Sequence, residues 1–380
     1  MNRKTYFIIA AIVTLILLLS GSWQAAQAQT IELGTLPGGI WSQGQDLNDV
    51  GDVVGMGDNE YGLTHAFVVS TRGQDAFKMI DLGTLGGENS WATDVNNSGI
   101  VVGYAELANG NTHAFARPRK LGANVDLGTL PGHVTSQAQG VSDTGFIVGH
   151  SGMIDPSTWR PVVWTPDHSG KTWTIHELNT DGLEQVNNWE CWAVNNKGQI
   201  VGNGFDVVIL KYEPVIWIPI KGGKEWKPMK LETTSFYYHG GAGDINDVGE
   251  VIGYVFTQDF SLSFPTVWKP SGPRKSPWRL TILPTLSGGN FGTLGNGFAW
   301  NEIDGINNKG EMVGASVDSE GQMRAVRWTL SDLNFIEPLG YPGTSSYGRR
   351  INNIGVASGW YNDGTYDHGV IERIRSKQKP

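Results

Sequence analysis

The sequence predicts an all-β chain folded as a β-propeller, with seven four-stranded blades. Three observations carry that expectation. A turn motif, in which an aliphatic residue precedes Asn (Ser142 in the third copy), then Asn or Asp, any residue and Gly, occurs seven times, with its glycines at 51, 99, 145, 198, 249, 310 and 355. A second glycine follows four residues after each of these. Each repeat holds four short apolar runs between turn residues, and four to eight such units make a propeller. The composition agrees: of 380 residues, 52 are Gly and 15 are Trp, and only 17 % are charged. That glycine share is about twice the usual one, and the apolar content is ample for a large core.

The chain opens with the pattern of an export signal. Asn2-Arg3-Lys4 is a basic start, residues 7–19 are apolar apart from Thr14, and Ala26-Gln27-Ala28 is a small-x-small cleavage site. The apolar run is shorter than the roughly 20 residues that span a bilayer. The expected organisation is therefore a signal peptide over residues 1–28, one propeller domain over 29–373 and a short basic tail over 374–380. The expected location is secreted or periplasmic.

Within each repeat the first strand ends at the motif's Asn. The turn reverses the chain, with Asn or Asp side chains bonding local backbone and Gly taking positive φ. The Val-Val-Gly run is the second strand. His65-Ala66-Phe67-Val68 and His113-Ala114-Phe115 begin the third-strand series, which becomes Pro161-Val162-Val163-Trp164 and its like in later repeats. Ile80-Asp81-Leu82 and Val125-Asp126-Leu127 are fourth strands, running into glycine-rich loops. The ends are offset. The mature chain opens with a lone fourth-type strand at Ile31-Glu32-Leu33, and the last repeat stops after a third-type strand ending near Arg373. Pairing these two would close the ring and remove an exposed edge.

Aligned repeats separate scaffold from chemistry. One residue before the turn Asn every repeat is aliphatic, as blade-to-blade core requires. Four before it, six of seven residues are small (Gly44, Ala92, Ala138, Cys191, Ala242 and Gly348, with Ile303 the exception), as expected of a crowded inner strand near the axis. Cys191 is one of this column, and a catalytic thiol would need a base beside it. The third-strand histidines fall in a column that also holds Arg160, Glu213, Phe264 and Arg324, so local hydrogen bonds are expected there. The segments beginning at Asp46, Asp94 and Asp244 look like the start of a calcium loop, but their twelfth positions, Gly57, Ala105 and Val255, lack the required acid. No metal or cofactor is expected. The net charge of −9 argues against nucleic acid and anionic membrane as partners.

The loops from fourth strand to next first strand gather around one end of the channel. They and the strand starts carry the candidate ligand-binding residues: Trp41, Trp91, Trp189, Tyr237, Tyr238, His239, Phe298, Trp300 and Tyr347. Such a ring of aromatics would stack on sugars or anchor a peptide. Burial between blades is the alternative. No catalytic residues are assigned. If the chain were a hydrolase or lyase, Glu302 and Asp304, or His239 beside Tyr238, would be the nominees.

Asp81-Leu82-Gly83-Thr84-Leu85-Gly86-Gly87, Ser90-Trp91-Ala92, Val95-Asn96-Asn97-Ser98-Gly99, Val101-Val102-Gly103 and His113-Ala114-Phe115 resemble the HAF-repeat family of bacterial extracellular proteins. The likeness spans about 31–373, strongest in the first three repeats; the later ones lose the triplet. It implies export and a repeat architecture, and it brings no catalytic residues. The leading expectation is a non-catalytic recognition or scaffold protein that binds a glycan or protein and acts as a monomer. A polysaccharide hydrolase or lyase is the alternative, and a purely structural envelope protein the further one.

Overall fold

The computed structural model describes residues 30–374 except 120–121, 184, 261, 272–277, 287–292, 295–296 and 299–300. The expected export signal and basic tail lie outside the described residues, apart from Ile374. Seven four-stranded antiparallel sheets are arranged as blades. The first strand of each repeat is the innermost: Ser42–Leu47, Gly86–Val95, Thr135–Val141, Val186–Val194, His239–Ile245, Glu302–Ile306 and Ser345–Ile351. Each of these touches the inner strands of both neighbouring blades, so they form a ring around a central channel. No helix among the described residues is long and apolar enough to cross a membrane.

The ring closes as the terminal offset requires. Thr30–Glu32 pairs antiparallel with Asp367–Arg373, with Ile31 opposite Ile371. It becomes the outer strand of the seventh blade. Leu33 and Leu36 follow it into the seam and are 1 % exposed. The core is divided into seam clusters. Val54, Ala66 and Leu82 of the first blade pack with Ala92, Val95 and Phe115 of the second, and the pattern recurs at each of the seven seams.

The repeated glycines have two separate causes. The first of each pair takes φ between +73° and +95°, which the turn requires. The second lies on the second strand, where a Cβ would collide with the inner strand's backbone oxygen: Gln43 O at Gly55, Trp91 O at Gly103 and Tyr347 O at Gly359. The small column has a different cause from the expected one. A Cβ on Gly44 would meet Gly359 of the preceding blade, and one on Gly348 would meet Gly314. Cys191 is likewise buried against Val148. These residues are small because blades approach each other there.

The turn motif does more than make turns. Asn48 Oδ1 accepts from Asp52 N, as expected of a local bond, but its Nδ2 donates to Asn96 O of the next blade. The following residue forms an unbroken belt. Backbone N–H groups of Asp49, Asn97, Asp143, Asn196, Asp247, Asn308 and Asn353 each donate to the side chain of the next member, and Asn353 N returns to Asp49 at 2.8 Å. Asn Nδ2 groups also bridge to flanking Asp carboxylates, as at Asn196, 3.2 Å from Asp143 and 3.1 Å from Asp247. Asp and Asn alternate around most of the ring, so acceptors meet donors.

Candidate functional site

The site is built from one irregularity repeated seven times. In every blade the ladder between first and second strands skips a residue three before the turn Asn. The skipped residues are Gln45, Thr93, Gln139, Trp192, Gly243, Asp304 and Arg349. A bulge leaves its extra residue unpaired and re-aims it. All seven line one cavity of about 630 Å³ at the axis, with Met56, Trp91, Tyr104, Tyr254, Phe256, Glu302 and Arg350 among its other walls.

The walls are partly fixed by their neighbours. Trp91 stacks on Tyr104 with centroids 5.0 Å apart, and Tyr347 on Trp360 at 4.3 Å. The Trp192 indole donates to Asn203 Oδ1 at 2.9 Å, and Asn203 Nδ2 donates to Glu190 Oε2 at 3.2 Å. Arg349 forms an ion pair with Asp304 at 3.5 Å. Burial pushes the Glu302 carboxyl up to about 7; the Asp304 charge pushes the same way and Arg349 opposes it. Burial also raises Tyr254 and Tyr347.

Arg350 lines both this cavity and a second pocket of about 170 Å³ at the turn end. The Arg350 guanidinium donates to Asp304 O and Arg349 O. Burial opposes its charge, but Asp244, Asp46 and Asp94 hold it on and raise the group. Asp46 Oδ2 reaches across a seam to Val95 N at 2.8 Å, Asp94 Oδ2 to Val141 N at 2.6 Å, and Asp244 Oδ2 to Ile306 N at 3.0 Å. Burial and the nearby Asp94 carboxyl raise Asp46 well above the usual carboxylate range. These cross-seam bonds tie neighbouring blades together. Among the described residues no cluster of His, Cys, Asp and Glu could hold a metal.

The expected aromatic ring is dispersed. Trp91 faces the cavity. Trp41 and Tyr347 are half-buried at the mouth end of their blades. Tyr238 lies further out, its hydroxyl donating to Ile209 O. Tyr237 packs edge-on against Phe236 and Phe264, over the core between the fourth and fifth blades. Two assignments are corrected. Trp189 is fully buried on the inner strand, edge-on to Trp217, and cannot touch a ligand. His239 is 2 % exposed and stacked on Phe260 at 4.1 Å. Its Nδ1 accepts from Tyr212 N, and burial lowers its pKa. Trp300 and the Phe298 side chain lie outside the described residues.

The other expectations resolve locally. His65 Nδ1 lies 2.8 Å from Asp81 and His113 Nδ1 2.9 Å from Asp126, so these histidines tie third strand to fourth. Burial pushes Asp126 up, but hydrogen bonds from His113 and Gly128 N outweigh it and the group is lowered. Burial holds the Cys191 thiol well above its ordinary pKa, which makes it inert.

No protein-family model matches the chain, and no curated protein matches it. Solved structures do. The β-propeller domain of the Trilobed protease from Pyrococcus furiosus, described as having an open velcro topology, aligns with TM-score 0.50 and 10 % identity over 90 % of this chain and 96 % of its own. A prolyl endopeptidase structure aligns with TM-score 0.52 and 10 % identity over 85 % of this chain, which spans 45 % of that larger protein. A putative TolB from Agrobacterium tumefaciens gives TM-score 0.42 and 14 % identity over 66 % of this chain and 82 % of that one. At such identities the first two show the fold alone: the chain is a seven-bladed β-propeller.

Proposed function

We propose that this protein is an exported recognition protein of the HAF-repeat kind that holds a glycan in the mouth of its central channel. The carrying observation is the seven-fold bulge, which brings Gln45, Thr93, Gln139, Trp192, Asp304 and Arg349 to one cavity of about 630 Å³. Stackable rings (Trp91, Trp192, Tyr104) sit beside amide, carboxyl and guanidinium groups, the mixture that sugar faces and hydroxyls require. Pockets of about 300–1,000 Å³ are the usual size for small ligands. Export is supported by the residue 1–28 pattern. The test is binding of purified protein to an array of defined oligosaccharides, with Trp192→Ala and Trp91→Ala beside it. Binding weakened at least about tenfold in both variants supports the reading, since an aromatic contact contributes on the order of a kcal/mol or more. Binding unchanged in both sinks it.

A second reading has its own observation. The hairpin tip Val207-Val208-Ile209-Leu210 is four consecutive exposed apolar residues, 45–65 % accessible, with Phe236 and Phe260 also exposed. Exposed apolar tips are common protein contacts, so a protein partner at this rim is the competing role. Val208→Ser with Leu210→Ser would abolish such a contact and leave glycan binding unchanged.

A further inference from the structure

Glu302 is set apart from the other acids of the channel. Asp46, Asp94 and Asp244 are tied to backbone N–H groups across the seams. Asp304 is paired with Arg349, and Glu190 accepts from Asn203. The Glu302 carboxyl accepts no hydrogen bond and makes no ion pair among the described residues, yet it lines the cavity. A scaffold acid is tied down by partners. An acid left unpaired in a concave aromatic site is what proton transfer to a ligand uses.

We propose that the cavity hydrolyses the glycoside it binds, with Glu302 as proton donor to the leaving oxygen and Asp304 as the base for water. This rests on the glycan reading above. The bond between anomeric carbon and glycosidic oxygen breaks, and its electron pair stays on the oxygen, which takes the Glu302 proton. The oxygen of one water molecule bonds to the anomeric carbon and gives its proton to Asp304. The proton then returns from Asp304 to Glu302 through solvent, so one water is consumed and two hydroxyl-ended sugars leave. The two acids lie two residues apart on the inner strand of one blade, and the bulge at Asp304 brings both to the same cavity. Hydrolysis with inversion needs about 6.5–9.5 Å between the carboxyls, room for one water.

The roles follow from surroundings. Glu302 faces Asp304, Arg349, Tyr254 and Tyr347, with Glu190 beyond Tyr254. Burial and Asp304 keep its proton on up to about pH 7, as a general acid needs. Arg349 pairs with Asp304 at 3.5 Å and both line the cavity, which holds the Asp304 carboxyl beside the place a water would occupy.

The experiment incubates purified protein with fluorescently labelled cello-, xylo-, manno- and chito-oligosaccharides, reading binding and new reducing ends separately. The expected result is release of shorter products from the best-bound oligosaccharide, with activity falling as pH rises through about 7. Glu302→Gln should lower turnover by at least about 100-fold and change binding of that oligosaccharide little. Asp304→Asn gives an independent second variant with the same expected loss. A bound oligosaccharide that stays intact overturns the catalytic proposal and leaves the recognition reading standing, as does turnover unchanged in both variants. Absence of binding to every oligosaccharide overturns both.

Discussion

Replacing Asn196 with Asp tests whether the belt at the turn end is an electrostatic fit or merely a set of turns. Asn196 accepts from Asp143 N at 2.7 Å and donates Nδ2 to Asp143 at 3.2 Å and Asp247 at 3.1 Å. The substitution would keep the acceptor and turn the donor into a third carboxylate. At the 3.1 Å separation two unit charges in water repel by about 1.3 kcal/mol. The side chains are near the surface and will swing apart, so the two repulsions and two lost hydrogen bonds are expected to sum to about 2 kcal/mol. Asn196→Ala loses all three bonds, the one accepted from Asp143 N included, without adding charge, and at this exposed position should cost about 1 kcal/mol. The assay is urea unfolding of wild type and both variants at about pH 8 and about pH 4, in low and high salt. The excess cost of Asp over Ala should be larger at the higher pH than at the lower one, and shrink with salt. Equal costs for Asp and Ala, independent of salt and pH, would refute the reasoning.

Two further outcomes are expected. Leu33→Ala, at a seam residue only 1 % exposed, should cost about 3–5 kcal/mol by leaving a cavity at the ring closure; thermal melting checks this, with exposed Ile31→Ala as a near-neutral control. Glu302→Gln should match wild-type stability below about pH 4.5 and exceed it above about pH 7, by up to about 3 kcal/mol, in denaturant melts across pH. The sign follows because a carboxyl whose folded pKa is raised loses its contribution as pH rises through that value, and Gln has no charge to bury.

What the sequence made legible is what repetition made legible. The turn Asn and its glycine recur with one job in every blade, so strand order and closure through Ile31 could be read directly. The second-strand glycine also showed itself, though its cause, the inner-strand oxygen beneath Gly103 and its equivalents, needed coordinates. Of the channel walls the sequence pointed to Trp91, Glu302 and Asp304 alone, because a bulge breaks the alternation on which strand-face reasoning depends. Counting in twos from the turn assigns the Gly44–Ala92 column to the axis, whereas the bulge turns the Gln45–Thr93 column there. A signal was present: that column runs through Gln, Thr, Trp, Gly, Asp and Arg beside a column that stays small in six of seven blades. Trp189 misled because it sits beside an irregular loop, yet its position six before the turn Asn is the one filled by buried Ser42, Ser90 and Ser136 in other blades. The belt was missed because its bonds join residues a whole repeat apart, and nothing within one repeat signals them.

The most direct test of the channel as a ligand site is a crystal structure of the protein soaked with the oligosaccharide it binds best. The account predicts a sugar ring inside the axial cavity, in contact with Trp91 or Trp192 and within hydrogen-bonding reach of Gln45, Glu302 or Arg349. Sugar bound only on the outer blades or at the Val207–Leu210 rim, with the cavity holding water alone, would contradict it.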